Sequence, residues 1–143
     1  MSEAATITSL EQVVIRFSGD SGDGMQLTGS LFSNLSAIYG NEISTFPDYP
    51  AEIRAPQGTL SGVSGYQVHV GSKKVYTPGD LADVLIAMNP AALKVNKANI
   101  KPNAIVIADA DTFDTNNLEK AGFKTDNPFE ELNLKGIQLI MAP

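Results

Sequence analysis

The sequence predicts an α/β domain in which a mostly parallel sheet is flanked by helices in the doubly wound arrangement. Three apolar runs that are typical of buried strands alternate with segments of helical periodicity, which is the pattern of consecutive strand and helix units. These runs are residues 84–88, 104–108 and 137–141. The chain has 143 residues, 43% of them apolar and 18% charged, which suffices for one sizeable core.

The first strand and helix are predicted after a short amino-terminal tail, residues 1–12. Residues 13–17 form a β-branched run that predicts a strand. From residue 25 onward apolar side chains recur at helical spacing, and Gly40 supplies the signal that ends the helix. The recurring apolar residues are Met25, Leu27, Leu31, Leu35 and Ile38.

The middle of the chain predicts a strand and a β-hairpin. Residues 42–46 favour a second strand, which Pro47 ends. Residues 64–70 alternate between apolar and polar side chains, as a half-buried strand does, and residues 71–73 favour a turn into residues 74–76. A β-hairpin insertion inside the domain is therefore expected.

The remaining runs continue the alternation of strand and helix. The run at 84–88 is nearly all apolar, as in a strand covered on both faces, and Pro90 suits the first turn of a helix over 91–98. The last run reaches the end of the sequence at Pro143 with no helix to cover it. We therefore expect a domain that lacks its carboxyl-terminal part, with an exposed apolar strand that promotes association.

Composition excludes several classes of function. A net charge of −6 with only two arginines, Arg16 and Arg54, provides no basic stripe for nucleic acid. The absence of cysteine excludes disulfides, cysteine-ligated zinc and an iron–sulfur cluster held by this chain, and the lone His69 does not suggest a metal site. No apolar stretch approaches the roughly 20 residues that span a bilayer, and no signal-peptide pattern is present, so a cytoplasmic protein is expected.

A glycine-rich loop, FSGDSGDGMQLTG, follows the first strand and opens the first helix. Amide N–H groups and the helix dipole favour phosphate in that position. However, the glycine order differs from the dinucleotide fingerprint, no P-loop lysine follows, and two carboxylates would repel a diphosphate although either could cap the helix. A tight turn and a phosphate site both remain open. The candidate binding residues here are Gly19, Asp20, Ser21, Gly22, Asp23 and Gly24.

Two other interpretations concern this loop and the segment after it. The run Gly22-Asp23-Gly24 could begin a thiamine-diphosphate motif, but the asparagines that should follow are missing around Ala51 and Glu52. Residues 48–65 are rich in proline, glycine and serine and predict a long loop, which in a compact domain is usually functional or disordered. There Glu52 and Arg54 are candidate binding residues; the alternative is a surface ion pair worth roughly 0 to 1 kcal/mol.

Three stretches together resemble a known family. They are the strand, SGDSGDG loop and helix; YPAEIRAPQGTLSGVSGYQV; and TPGDLADVLIAMNPAALKVN. From about residue 13 to the end the chain is similar to the amino-terminal gamma-type domain of 2-oxoacid:ferredoxin oxidoreductases. It is most like the alpha subunit of the 2-oxoglutarate branch, in which gamma and alpha domains are fused. The residues Ala55-Pro56 replace a glycine pair that many gamma domains carry, which fits that branch.

The resemblance implies part of an enzyme that converts a 2-oxoacid and coenzyme A to acyl-CoA and carbon dioxide and reduces ferredoxin. Thiamine diphosphate, Mg²⁺ and iron–sulfur clusters would lie in other domains or subunits, with an alpha-type domain and a beta subunit as partners. This domain would carry no catalytic residue and would pack on the catalytic core on the coenzyme A side, and the isolated chain would be inactive. Gly19 and Gly22 would then be needed for close approach or for their backbone angles. The alternatives are a stand-alone nucleotide- or flavin-binding module and a purely structural assembly domain.

Overall fold

A computed structural model describes residues 7, 9–20, 24–48, 63–77, 79–134 and 136–143 of the chain. Within these residues the strands are β1 (Gln12–Asp20), β2 (Glu42–Asp48), β3 (Val63–Gly71), β4 (Ala82–Ala87), β5 (Ile100–Asp109) and β6 (Gln138–Ala142). The helices are α1 (Met25–Ile38), α2 (Pro90–Val95), α3 (Thr115–Lys120) and α4 (Pro128–Glu131), with a 3-10 turn at Lys97–Asn99.

The strands form one sheet in the order β2-β3-β1-β4-β5-β6. The pairs β1-β4, β4-β5 and β5-β6 are parallel, whereas β3 is antiparallel to both β1 and β2. The predicted α/β fold with a mostly parallel sheet and flanking helices is confirmed. The predicted strand at 137–141 is also confirmed: it is β6, the edge strand beside β5.

The second strand of the predicted hairpin does not form, and the prediction that residues 74–76 pair with residues 64–70 is wrong. Residues 64–70 do lie in a strand, β3, but its two neighbours are β1 and β2. Because both edges of β3 are taken along its length, no edge is left for residues 74–76. The strand predicted at 42–46 is β2, which continues through Pro47 because an edge strand tolerates a missing N–H group.

The end of α1 follows the sequence signal. The N–H of Gly40 donates to the carbonyl of Ala37 at 2.9 Å, and the N–H of Asn41 donates to that of Ser36 at 3.1 Å. These two bonds form a Schellman motif, which requires a left-handed residue just after the helix. Gly40 is that residue, with φ 86°. The predicted stop at Gly40 is confirmed.

The helix predicted over 91–98 is shorter in the structure. Pro90 begins α2 as expected, but the α-helix ends at Val95. The Asn96 side chain is fully buried, and its Nδ2 donates both to the carbonyl of Ala92, at 2.7 Å, and to Ser18 Oγ, at 2.8 Å. The α-helix ends where this side chain turns back onto its last turn, and the chain continues as the 3-10 turn Lys97–Asn99.

The buried face of α1 combines small residues with Met25 and Phe32. Met25, Gly29 and Ser33 face the sheet, and a Cβ atom on Gly29 would lie 2.2 Å from Cδ1 of Tyr66 on β3. The glycine thus lets α1 approach the sheet closely. Four of the five recurring apolar residues of this helix are instead exposed, which the periodicity alone did not reveal. These four are Leu27, Leu31, Leu35 and Ile38.

The core is divided by the sheet into a large and a small cluster. On the side of α2, α3 and α4, hereafter the α2 side, Leu85, Leu93 and Val106 are fully buried. On the side of α1, hereafter the α1 side, the buried cluster among the described residues consists of Phe17, Met25 and Val68, with partly buried neighbours. In the described part of the chain, no helix has both the length and the apolar character needed to cross a membrane.

Candidate functional site

The carboxyl ends of β1 and β4 lie at the point where the chain turns toward opposite sides of the sheet. The two strands are parallel neighbours, but α1 follows β1 on one side and α2 follows β4 on the other. Divergence of this kind opens a crevice that binds ligands in doubly wound proteins. The described ends of the glycine-rich loop, Asp20 and Gly24, lie at this crevice.

A hydrogen bond crosses the crevice from the start of α2 to the end of β1. The Nδ2 atom of Asn89 donates to Oδ1 of Asp20 at 3.0 Å. The Oδ1 atom of the same asparagine accepts from the N–H of Ala92 at 2.8 Å, and so caps α2. One side chain therefore both starts the helix and holds the carboxylate of Asp20 toward β4.

The sequence reasoning missed Asn89, although a signal for it was present. An asparagine that follows a buried apolar run and precedes a proline is typical of a helix N-cap followed by the first helical residue. The sequence could have indicated the cap, but not its contact with Asp20, because the two residues are 69 positions apart.

The described glycines of the loop have different roles. Gly19 is buried in β1 opposite Ser64 of β3 and does not have a positive φ, so of the two expected reasons for glycine here the backbone angles do not apply, and close approach stays a prediction. Gly24 is the N-cap of α1 in the left-handed conformation, with φ 73° and ψ 29°, and it has no side chain to cap the helix. The other candidate residues lie outside the described residues: Ser21, Gly22, Asp23, Glu52 and Arg54.

A buried polar network supports the base of the loop. Gln26, in the first turn of α1, donates to Ser64 Oγ at 3.1 Å and to the carbonyl of Gly65 at 2.8 Å. On the other side of the sheet, Ser18 Oγ donates to the carbonyl of Ser64 at 3.2 Å and accepts from Asn96. Because an unsatisfied buried polar group costs about 1 to 3 kcal/mol, these bonds fix the relative positions of α1, β1 and β3.

The same network includes a buried arginine. Arg16 is 8% exposed; its Nε donates to Asn96 Oδ1, and its Nη1 donates to Gln67 Oε1 at 3.2 Å. The Nε2 atom of Gln67 in turn donates to the carbonyl of Gly79 at 2.6 Å. Arg16 therefore ties β1 to β3 and to the end of α2, beneath the crevice and not at its surface.

The described side chains at the rim of the crevice are acidic or neutral. Asp20 ends β1, and Asp109 ends β5, where its Oδ1 accepts from the N–H of Asp111 at 3.0 Å. Thr112 Oγ1 donates to the carbonyl of Met88 at 2.6 Å. A ligand with phosphate groups would need a cation from outside this described rim. Among the described residues, no three His, Asp or Glu side chains converge as a metal site.

Comparison with known proteins identifies the family. The family model described as pyruvate ferredoxin/flavodoxin oxidoreductase matches residues 14–143. The chain belongs to this family. The resemblance to 2-oxoacid:ferredoxin oxidoreductases seen in the sequence is thereby confirmed. A curated member from Mycobacterium tuberculosis (strain ATCC 25618 / H37Rv), 2-oxoglutarate oxidoreductase subunit KorA, is 54% identical over 121 residues, which are 85% of this chain and 18% of KorA.

Solved structures of family members have the same architecture. The 2-oxoglutarate:ferredoxin oxidoreductase from Magnetococcus marinus, with 2-oxoglutarate, coenzyme A and succinyl-CoA bound, matches with a TM-score of 0.70 and 30% identity. That match covers 94% of this chain and 20% of the Magnetococcus chain. The keto/oxoacid ferredoxin oxidoreductase gamma subunit from Geobacter sulfurreducens PCA matches with a TM-score of 0.55 and 24% identity, over 71% of this chain and 52% of that subunit, and shows the fold alone. The chain thus spans about a fifth of the length of KorA and of the Magnetococcus chain.

Proposed function

We propose that this chain is the gamma-type domain of a 2-oxoglutarate:ferredoxin oxidoreductase. The whole enzyme would oxidatively decarboxylate 2-oxoglutarate with coenzyme A, giving succinyl-CoA, carbon dioxide and reduced ferredoxin. The observation that carries this proposal is the 54% identity with KorA over 85% of the chain. Thiamine diphosphate, Mg²⁺ and the iron–sulfur clusters would be held by an alpha-type domain and a beta subunit. For the clusters the reason is that this chain has no cysteine to ligate one. The whole enzyme would work in the cytoplasm.

In this proposal the crevice between β1 and β4 faces coenzyme A. The amides at the start of α1 suit an anionic group, and Gly24 places no Cβ atom beside them. The hydrogen bond from Asn89 to Asp20 ties this carboxylate to the start of α2. Since the described rim supplies no cation, Arg54, in the segment that the sequence predicts to be a long loop, is the proposed charge-assisted contact.

Two variants of the complete enzyme test this contact. Gly22→Val and Arg54→Ala are expected to raise the KM for coenzyme A much more than the KM for the 2-oxoacid. For Arg54→Ala the loss is about 1.5 to 3 kcal/mol if the contact is a hydrogen bond to a charged group. A matched control is Lys101→Ala, which removes a cation paired with Asp83 near the amino end of β5 and should leave both KM values unchanged.

The acidic rim favours a second candidate, a purely structural assembly domain. Asp20 and Asp109 would repel a diphosphate in the absence of a nearby cation. If correctly assembled Gly22→Val and Arg54→Ala enzymes keep the wild-type KM for coenzyme A, this second candidate replaces the first.

The 143-residue chain on its own is expected to show no 2-oxoglutarate oxidation and no iron–sulfur absorbance; turnover by the pure chain would contradict the accessory role. A flavin-binding module would instead be recognised by its visible absorbance.

A further inference from the structure

The outward face of α1 is an apolar stripe that no described part of the chain covers. The stripe is formed by Leu27, Leu31, Leu35 and Ile38, which are between 54% and 78% exposed. At 100° per residue these four side chains lie within one narrow sector of the helix, opposite the small residues that face the sheet. Exposed single leucines are common, but a stripe of four along one helix marks an interaction surface.

Charge separates this helix from an ordinary surface helix. None of the 14 residues of α1 is charged, although 18% of the whole chain is charged and its net charge is −6. A helix that faces water normally carries charged residues on its outer face. Permanent interfaces are more apolar than transient ones, which use charge to steer association. The stripe therefore suits a permanent contact.

A second apolar surface lies on the same side of the sheet. β4, β5 and β6 present Ile86, Ile107 and Ile140 in register on the α1 side. Ile86 and Ile107 are half-buried and Ile140 is 43% exposed. Among the described elements, α1 packs mainly over β1, β2 and β3. On the edge strand β6 the opposite face is exposed as well, with Leu139 41% and Met141 43% exposed, so β4 and β5 carry the difference between the two sides. Parallel strands are normally covered on both faces, so this half of the sheet also lacks a cover among the described residues.

The topology indicates what kind of segment could cover it. The connections from β4 to β5 and from β5 to β6 step in one direction, and their helices lie on the α2 side. Because crossovers are right-handed, any unit that extended the sheet past β6 in the same direction would place its helix on the α2 side as well. The cover of the α1 side must therefore come from a part of the protein outside this succession of units.

We propose that the α1 side, through the stripe on α1 and the open face of β4, β5 and β6, is the surface on which the rest of the full-length polypeptide docks. This rests on the proposed function, in which the chain is one domain of a longer KorA-like protein. Two observations select this occupant: about four-fifths of the KorA and Magnetococcus chains lies outside the matched region, and an uncharged stripe suits a covalently tethered neighbour, whose high effective concentration makes charge steering unnecessary. Because the crevice lies at the amino end of α1, docking through this helix would also hold the crevice against the catalytic part of the enzyme.

Cysteine labelling of the full-length protein tests the surface directly, since residues 1–143 contribute no cysteine of their own. Leu31→Cys reports on the stripe, and Val95→Cys, at the end of α2 and 45% exposed, is the matched control on the other side of the sheet. Ile38→Cys, further along the stripe, is a second reporter. Maleimide modification of each is followed by peptide mass spectrometry in the native protein and after denaturation.

In the native protein, Leu31→Cys and Ile38→Cys are expected to react at least about tenfold more slowly than Val95→Cys, because a covered thiol reacts slowly. The rates should become similar in denaturant. Equal native rates would overturn the proposal. Protection lost on dilution would assign the surface to a second copy, and protection that requires an added separate subunit would assign it to that subunit; both results contradict docking of the same polypeptide. Turnover of 2-oxoglutarate by the wild-type protein, measured separately, shows whether the proposed function itself has failed.

Discussion

The two sides of the sheet are built from the same strands, but the side chains on them are covered to different extents. On β4 and β5, Leu85 and Val106 face α2 and are fully buried, whereas the next residue of each strand, Ile86 and Ile107, faces the α1 side and is only half-buried. Along β4 and β5 the α2 side is closed by helices that connect successive strands, whereas on the edge strand β6 Leu139 and Met141 of that side are 41% and 43% exposed. Among the described residues, the helix that packs on the α1 side is α1, mainly over β1, β2 and β3.

This difference separates the residues that stabilise the domain from those available for contact with other parts of the protein. On the α2 side apolar side chains of α2, α3 and α4 interlock with the strands. On the α1 side the helix packs through Met25, Phe32 and two small residues and presents its leucines outward. A substitution should therefore affect the stability of this chain strongly on the first side, and the association of the chain on the second.

The largest effect is expected for Leu93→Ala on the α2 side. Leu93 is fully buried in the larger core, and removing such a side chain costs about 2 to 5 kcal/mol of unfolding free energy because it leaves a cavity. Urea unfolding of the chain measures the loss. The matched control is Leu31→Ala on α1, for which a change within about 0.5 kcal/mol is expected; similar losses at the two sites would contradict the distinction between the sides.

A smaller loss is expected for Gly29→Ala on the inner face of α1. The added methyl group would meet the ring of Tyr66, and relieving that overlap should cost about 1 to 3 kcal/mol. In a Tyr66→Val background, which lacks the ring, the Gly29→Ala substitution should cost less than it does in the wild type. A double-mutant cycle measures this coupling. Wild-type stability in the single variant would mean that α1 is not held close to β3.

Asn89→Ala is expected to cost about 0.5 to 2 kcal/mol, because α2 loses its N-cap. Asn89→Ser should retain most of the cap while losing the bond to Asp20, so the difference between the two variants separates the roles of this side chain. Thermal unfolding followed by circular dichroism measures both. If Asn89→Ser is as unstable as Asn89→Ala, the bond across the crevice contributes more than the cap.

The smallest effect on stability, and the clearest on association, is expected from the stripe. The 143-residue chain should self-associate through its exposed apolar surfaces, and a Leu31→Gln, Leu35→Gln double variant should associate less while its stability stays within about 0.5 kcal/mol of wild type. Light scattering across a concentration series measures this. A wild-type chain that stays monomeric at all concentrations would contradict it.

Local signals predicted most of the elements and part of the site. The strands at 84–88, 104–108 and 137–141 formed as expected, as did the helix that stops at Gly40. The pairing of residues 74–76 failed as a prediction, because a turn signal cannot show that β1 and β2 already occupy both edges of β3. At the site, the loop position was predicted, whereas the bond from Asn89 to Asp20 was not.

The sequence by itself determined where most of the strands and the first two helices begin, since β-branched runs, the glycine stop and Pro90 act through neighbouring residues. It also determined that no cysteine of this chain ligates a cluster. Only the tertiary structure decided which face of α1 is buried. One face offered four aliphatic side chains, and the other offered Met25 and Phe32 beside small residues; the second packs on the sheet, with Gly29 directly against Tyr66. That choice depends on shape across residues distant in the chain, which helical periodicity does not record.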